Sequence, residues 1–413
     1  MKVGLYASVF LDFGVLMLIF STWQRHDPRP MSRQESRFKF LDRVSSAYWD
    51  RVRSLVEDWV AAYPSGPDRS DLIQRMCSID DDKQAAAFWE LYLHESLRRD
   101  GWAITPHPSV STSRRRPDFV ARRGTDAIVL EATTIGHDVC EIKEQKRVQQ
   151  ILDGLEGLDS PDFYLSVDYK QIGPDSPPIG ELWKRLNKWL SQLDVAEVRT
   201  ADARYGWQGW PTLSLRPGFG WHLVFRAVPV REGVHRQLGT NVIGMEGPGE
   251  AIMVDHIGPL VRHLDEKAGA YGKLTAPYVI ALLDLSEYPP SEEDLSSALY
   301  GRSTGWLNSD GQVDRIPFRA RDGFWSRGRA SAGSVSAVLT MWGMRPWTVA
   351  SDRPLLWRSP TDAPAVPLLP WPLEHLAANG LDVVQELDDY DPRTFFNLSD
   401  DWPGPEAPFR YRS

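Results

Sequence analysis

From Ser36 to Tyr63 the apolar positions Phe40, Val44, Tyr48, Val52, Leu55, Val56 and Trp59 recur at helical spacing, which predicts a helical lead-in closed by Pro64-Ser-Gly-Pro67. A second helix is predicted over Asp82 to Arg99, with Asp80, Asp81 and Asp82 as an acidic cap and Asp100-Gly101 as its stop. Short strand-like pieces follow around Trp102 to Thr105, Pro117 to Ala121 and Ile128 to Thr133. A polar helix is then expected over Glu141 to Leu158, and a further strand over Phe163 to Asp168. This alternation implies a mixed α/β sheet with helices on its faces.

Beyond residue 170 the pattern predicts a helix at Gly180 to Leu193, a glycine- and tryptophan-rich loop at Tyr205 to Trp221, and a strand at His222 to Val230. A second αβ unit is expected from a helix at Gly258 to Ala270 and the apolar strand Tyr278 to Leu285. Residues 286–330 read as loop-rich, Ser334 to Leu339 as a strand, and the proline-rich stretch after Pro354 as ending in an irregular tail from Asp389. The expected domains are an apolar N-terminal segment (1–30), a helical lead-in (31–80), an α/β core (81–195), a C-terminal α/β region (196–388) and the tail (389–413).

With 413 residues, 42% of them hydrophobic and 25% charged, the chain has globular composition and length enough for two or three cores. A formal net charge of −9 argues against a protein that coats nucleic acid indiscriminately, since that affinity comes from many Lys and Arg neutralising phosphates. Any such contact has to be local. Cys77 and Cys140 show no CxxC or Cys/His spacing, so neither a disulfide framework nor a zinc site is suggested, and a reducing cytoplasm is the expected setting. The 17 tryptophans are expected chiefly as core and interface anchors.

Residues 3–20 form an apolar run of bilayer-crossing length, broken by Asp12. Three readings stand: a membrane anchor, a secretory signal, or an extension preceding a start at Met31. The signal is the weakest, because no small-x-small cleavage site follows and only Lys2 precedes the run.

The candidate chemistry lies in Arg114-Arg-Arg-Pro-Asp118-Phe119 and Leu130-Glu131-Ala132-Thr133, two strands joined by a tight Arg-Gly-Thr-Asp turn. A hairpin centred between Gly124 and Thr125 sets Asp118 directly opposite Glu131. Directly opposed side chains lie about 4.5–5.5 Å apart at Cβ, where like charges destabilise a sheet. A divalent cation such as Mg²⁺, held by one or two carboxylates with waters and a phosphate, is the simplest compensation. A slip of one residue would put the two carboxylates on opposite faces.

The string Phe88-Trp-Glu90-Leu-Tyr-Leu-His94-Glu95, then His107-Pro, Arg-Pro117-Asp118-Phe119 and Leu130-Glu131-Ala132-Thr133, resembles the PD-(D/E)xK, restriction-endonuclease-like superfamily. More narrowly it is similar to a group of large bacterial proteins with a PDF and an EAT motif, a similarity continuing through Leu158-Asp-Ser-Pro-Asp-Phe-Tyr-Leu-Ser-Val167, Lys267-Ala-Gly-Ala-Tyr-Gly272, Pro277-Tyr-Val-Ile-Ala281 and Val335-Ser-Ala-Val338. The resemblance implies a restriction-endonuclease-like mixed sheet with a C-terminal α/β extension, and a metal-dependent nuclease acting on DNA. Asp118 and Glu131 would hold Mg²⁺ or Mn²⁺, with Glu90 or Glu95 of the preceding helix assisting.

The superfamily's lysine falls on Thr133, whose hydroxyl can bond a water but brings no positive charge. Lys143 and Lys146 on the next helix, or Arg116 opposite Thr133, are candidate replacements. Arg114, Arg115, Arg116, Arg122 and Arg123 concentrate positive charge around the hairpin, which suits a phosphate-bearing substrate or, more plainly, a solvated surface. Loss of the lysine leaves a second function open: a catalytically silent fold used as a nucleic-acid-binding or protein-interaction module.

Overall fold

In the computed structural model, the described residues are 18–29, 31, 35–110, 115–136, 147, 148, 150–155, 158, 160–231, 255–272, 274–286, 288–304, 318–328, 331–377, 379–386 and 389–404, with the backbone of 243–246. The chain divides into two compact units, one of Met1–Met31, Ser36–Gly136 and Asp255–Ser413, the other of Ser32–Glu35 and His137–Val254.

The first unit opens with α1 (Arg37–Arg43), α2 (Ala47–Ala62), α3 (Pro67–Met76) and α4 (Asp81–Arg99). The single lead-in helix expected from Ser36 is therefore two. Val44 is extended, and the Ser46 side chain accepts from the Trp49 amide to start a new helix, the usual role of an N-cap serine. Likewise Pro67, expected only to stop a helix, sits in the first turn of α3, where its missing N–H costs nothing. Asp80 caps α4 by accepting from the amides of Asp82 and Lys83.

Strands β1 (Ala103–Pro106), β2 (Phe119–Arg123) and β3 (Asp126–Ile135) come next; β4 (Phe163–Gln171), β5 (Thr212–Leu215), β6 (His222–Pro229) and β7 (Ile243–Glu246) belong to the second unit. The first unit resumes with β8 (Tyr278–Asp284), a two-residue pair β9 (Ser303–Thr304) and β10 (Phe318–Arg319), then β11 (Ala337–Trp342), β12 (Leu355–Arg358), β13 (Leu373–Leu376) and β14 (Val383–Glu386). Its main sheet has eight strands in the order β1-β2-β3-β8-β11-β12-β13-β14. The pairs β3·β8, β8·β11 and β12·β13 are parallel and the others antiparallel. The protein is thus mixed α/β, with a large mixed sheet flanked by helices.

Strand alternation builds two cores. Phe119, Ala121, Ile128, Leu130, Val279, Ala281 and Leu283 face α1 to α4, whereas Val120, Val129, Tyr278, Ile280, Leu282 and Val338 face the helices Ile257–Ala268 and Glu292–Tyr300. Ile19 and Phe20, each 6% exposed, join the first core, and their amides donate to the Glu57 carboxylate at 3.1 and 2.8 Å. Of the apolar run 3–20, residues 3–17 lie outside the described residues, among which no helix is long and apolar enough to cross a membrane.

The strand expected at Phe163 is present but does not join the hairpin's sheet. It lies in a four-stranded sheet, β5-β6-β4-β7, with its own core of Leu165, Val167, Leu182, Leu186, Leu223 and Phe225. The neighbour of β3 is instead β8, so residues 81–195 do not form one body and the division falls after Gly136. Both strands are apolar enough to be buried, and periodicity alone cannot say which of them β3 will choose. The helix expected at Glu141 to Leu158 is seen at residues 147, 148 and 150–155; residues 141–146 lie outside the described ones.

Two stretches expected to be irregular are ordered. The helix Glu292–Tyr300 lies in the loop-rich 286–330, started by a capping box between Ser291 and Asp294. Past Asp389, Tyr390 and Phe396 are buried core residues, with a short helix at Pro392–Phe396.

Candidate functional site

The site grows from the β2·β3 hairpin. Gly124, at φ +59, makes a turn that pairs Arg123 with Asp126, and the ladder runs to Phe119↔Leu130 without a slip. This is the expected register, and it carries Asp118 to the level of Glu131. Asp118 itself stands one residue before β2. Its carbonyl accepts from the His107 amide at 2.9 Å, and its Oδ2 accepts from the Ala132 amide at 2.7 Å, an N–H that a longer β2 would have met with position 117. Burial, then the charge of Glu131, then that of Glu90, push the Asp118 carboxyl up to about 8, against the opposing pull of the Ala132 amide and Lys267.

Glu131 is 8% exposed and fully engaged. Lys267 Nζ donates to Oε1 at 2.9 Å, and the Tyr271 hydroxyl donates to Oε2 in a very short hydrogen bond while lying 3.2 Å from the Arg116 carbonyl. Both partners come from the helix Ile257–Ala268 and the turn after it. Leu260, Val261 and Leu264 of that helix pack into the second core, whereas His263 and Lys267, one turn apart, share another stripe, and Tyr271, past the helix end, is buried in the same core. Tyr278 secures the arrangement: its hydroxyl donates to the Lys267 carbonyl at 3.1 Å, and its ring meets that of Tyr271 edge-on at 5.7 Å. Burial raises the hydroxyl pKa of both tyrosines, so each remains a donor.

Thr133, two residues beyond Glu131 on the same face of β3, lies 2.7 Å from His263 Nε2 through its Oγ1. The expected facing of Thr133 by Arg116 does not arise, because the ladder ends at Phe119 and Arg116 contributes its carbonyl to Tyr271. Burial and the neighbouring Lys267 hold the His263 imidazole below its ordinary value, which keeps it neutral at pH 7.

The remaining expected residues separate. Glu90 is buried, and both its oxygens are taken, by the Tyr63 hydroxyl at 2.9 Å and Arg75 at 2.6 Å; its charge reaches Asp118 but its bonds hold α2, α3 and α4 together. Glu95 is bound by Arg98 and Arg99 of its own helix and lines a cleft with Arg51, Asp58, Phe396 and Trp402. His94, part of the string that carries the resemblance, is buried against Tyr63 and Phe119, and burial pushes it down to about 4. Arg115 and Arg116 are exposed beside the carboxylates, and the charge of Arg115 is felt at Tyr271. Arg122 is exposed four strand positions away, about 13 Å at strand rise. Arg123 is committed to Asp100 at 2.6 Å and to the Trp102 ring. Arg114, Lys143 and Lys146 lie outside the described residues.

Lys267, Tyr271 and His263 were not among the residues expected at the site. Their four-residue spacing was visible, but what they face depends on pairing β3 with β8. Among the described residues no group of three or more His, Cys, Asp or Glu side chains is arranged to hold a metal ion. The donor chemistry nonetheless suits a hard cation: the groups are carboxylate oxygens, and burial, with the negative charges of Glu131 and Glu90 added to it, raises Asp118. No family model matches this chain, and comparison with curated proteins and with solved structures finds no match.

Proposed function

We propose that this chain is a restriction-endonuclease-like nuclease that hydrolyses DNA phosphodiesters with Mg²⁺ or Mn²⁺, in the manner of a defence against foreign DNA. The observation that carries the reading is the pairing of half-buried Asp118 with buried Glu131, to which Lys267 is bonded. Lys267 brings from a distant helix the positive charge that Thr133 lacks. Asp118 and Glu131 would hold the ion, whose chemistry is to stabilise charge on the phosphoryl oxygens. Lys267 neutralises Glu131 and can turn toward a phosphate; Tyr271 fixes Glu131 in orientation; Arg115 and Arg116 favour an anionic substrate beside the pair.

The test is cleavage of single-stranded and duplex DNA by the purified full chain with either metal. Asp118→Ala and Glu131→Ala are expected to abolish it, and Lys267→Ala to slow it by about two orders of magnitude, the scale of losing one group that stabilises transition-state charge. Cleavage that survives Asp118→Ala overturns the proposal.

One observation favours a second reading, the catalytically silent module. Both Glu131 oxygens already take protein donors, which leaves an ion only their remaining lone pairs and sets it against the Lys267 charge. Calorimetry with Mg²⁺ and Mn²⁺ separates the two: no heat of binding supports the silent module, whereas binding lost in Glu131→Ala counts against it.

A further inference from the structure

Lys267 and Tyr271 account for Glu131, but one polar contact of the same stripe remains. His263 Nε2 and Thr133 Oγ1 meet at 2.7 Å, one helical turn from Lys267 and two strand residues from Glu131. Packing of the helix does not need this pair, since Leu260, Val261 and Leu264 already bury its apolar face. We infer that Thr133 and His263 form a proton relay that activates the attacking water, an inference that rests on the nuclease reading above.

Thr133 is 8% exposed and His263 half-buried, so the pair lies at the edge of the site rather than sealed beneath it. Glu131 and Thr133 share a face of β3, so a water beside the carboxylates lies within reach of the Thr133 hydroxyl. In the tautomer that carries its proton on Nδ1, His263 Nε2 accepts from the hydroxyl, which in turn accepts from that water. The charged groups felt at the imidazole are Lys267 and Glu266 on its own helix and Glu131 on β3; Lys267 and burial together keep it unprotonated and able to accept.

The water oxygen attacks phosphorus; its proton passes to Thr133 Oγ1 as the threonine proton passes to Nε2. The bond from phosphorus to the leaving sugar oxygen breaks, and that oxygen takes a proton from solvent. The imidazolium then returns its proton to bulk water.

The test is single-turnover cleavage of labelled single-stranded and duplex oligodeoxynucleotides by the full chain with Mg²⁺ or Mn²⁺. His263→Gln and Thr133→Val are each expected to lower the rate about 100-fold, with the double variant no slower than either alone. Thr133→Ser, which keeps the hydroxyl, is expected to retain most of the rate. At saturating metal, where Asp118 is already ionised, the part of the acid limb due to His263 should vanish in His263→Gln. A proton inventory on the wild type alone, free of any folding defect, is expected to be bowed because two protons move together; a linear one overturns the relay. Wild-type cleavage with unchanged rate and acid limb in both single variants also overturns it and leaves the nuclease reading standing. No cleavage by the wild type overturns that reading, and the relay with it.

Discussion

Asp118 shows how one side chain can be held against its own preference. In an unfolded chain its carboxyl ionises near 3.9, whereas in the fold burial and two neighbouring carboxylates raise it to about 8. Between these values the native state binds the extra proton, so stability falls as pH rises through that window and is unaffected by this group below it. Asp118→Asn keeps an acceptor for the Ala132 amide and removes the ionisation. It is expected to match the wild type in stability near pH 4 and to exceed it increasingly toward pH 8, by an unfolding free energy on the order of a few kcal/mol, with the thermal midpoint rising accordingly. Midpoints measured across that range check this, and parallel curves for the two proteins would contradict it. A bound divalent cation should offset the same penalty, so metal binding is expected to release protons near neutral pH.

At the scale of elements, two attachments govern the first unit. The polar stripe of the helix Ile257–Ala268 grips β3 through Lys267. Because Lys267 is partly exposed, Lys267→Met is expected to cost about 1–3 kcal/mol, less than breaking a fully buried pair. Much of that loss should return in the double variant with Glu131→Gln, as a denaturant-melt cycle would reveal. The N-terminal segment is the other attachment. Ile19 and Phe20 enter the α1 to α4 core, and Ser21 and Arg25 bind Asp42 at 2.7 and 3.2 Å. Removing residues 1–30 deletes the core side chains Ile19 and Phe20 and is expected to destabilise the unit by roughly 3–6 kcal/mol. An unchanged midpoint in the shortened protein would show the segment to be dispensable.

Across the whole molecule the organising fact is that β3 pairs in parallel with β8, although their paired residues Glu131 and Ile280 stand on opposite sides of the second unit's His137–Val254 stretch in sequence. Parallel pairing of this kind buries β3, β8 and β11 on both faces, and Val279, Ile280, Ala281 and Leu282 are all buried. Native-state hydrogen exchange is therefore expected to be slowest in β3, β8 and β11 and faster by orders of magnitude in the edge strands β1 and β14. Equal protection from edge to centre would count against the central placement of β3.

What the sequence alone determined is what short-range rules govern. The cap at Asp80, the stop at Gly101 and the register of the β2·β3 hairpin, with Asp118 level with Glu131, all follow from residues a few positions apart. The capping box at Ser291 and Asp294 was equally local, though the stretch around it read as loop. Tertiary structure alone decided what surrounds the carboxylates. Lys267 meets Glu131 across 136 residues, and nothing in hydrophobic periodicity distinguishes β8 from β4 as the neighbour of β3. Likewise, the burial that raises Asp118 and the partners that claim Glu90 and Glu95 arise from packing, since a carboxylate's chemistry depends on the dielectric and charges around it more than on its position in the chain.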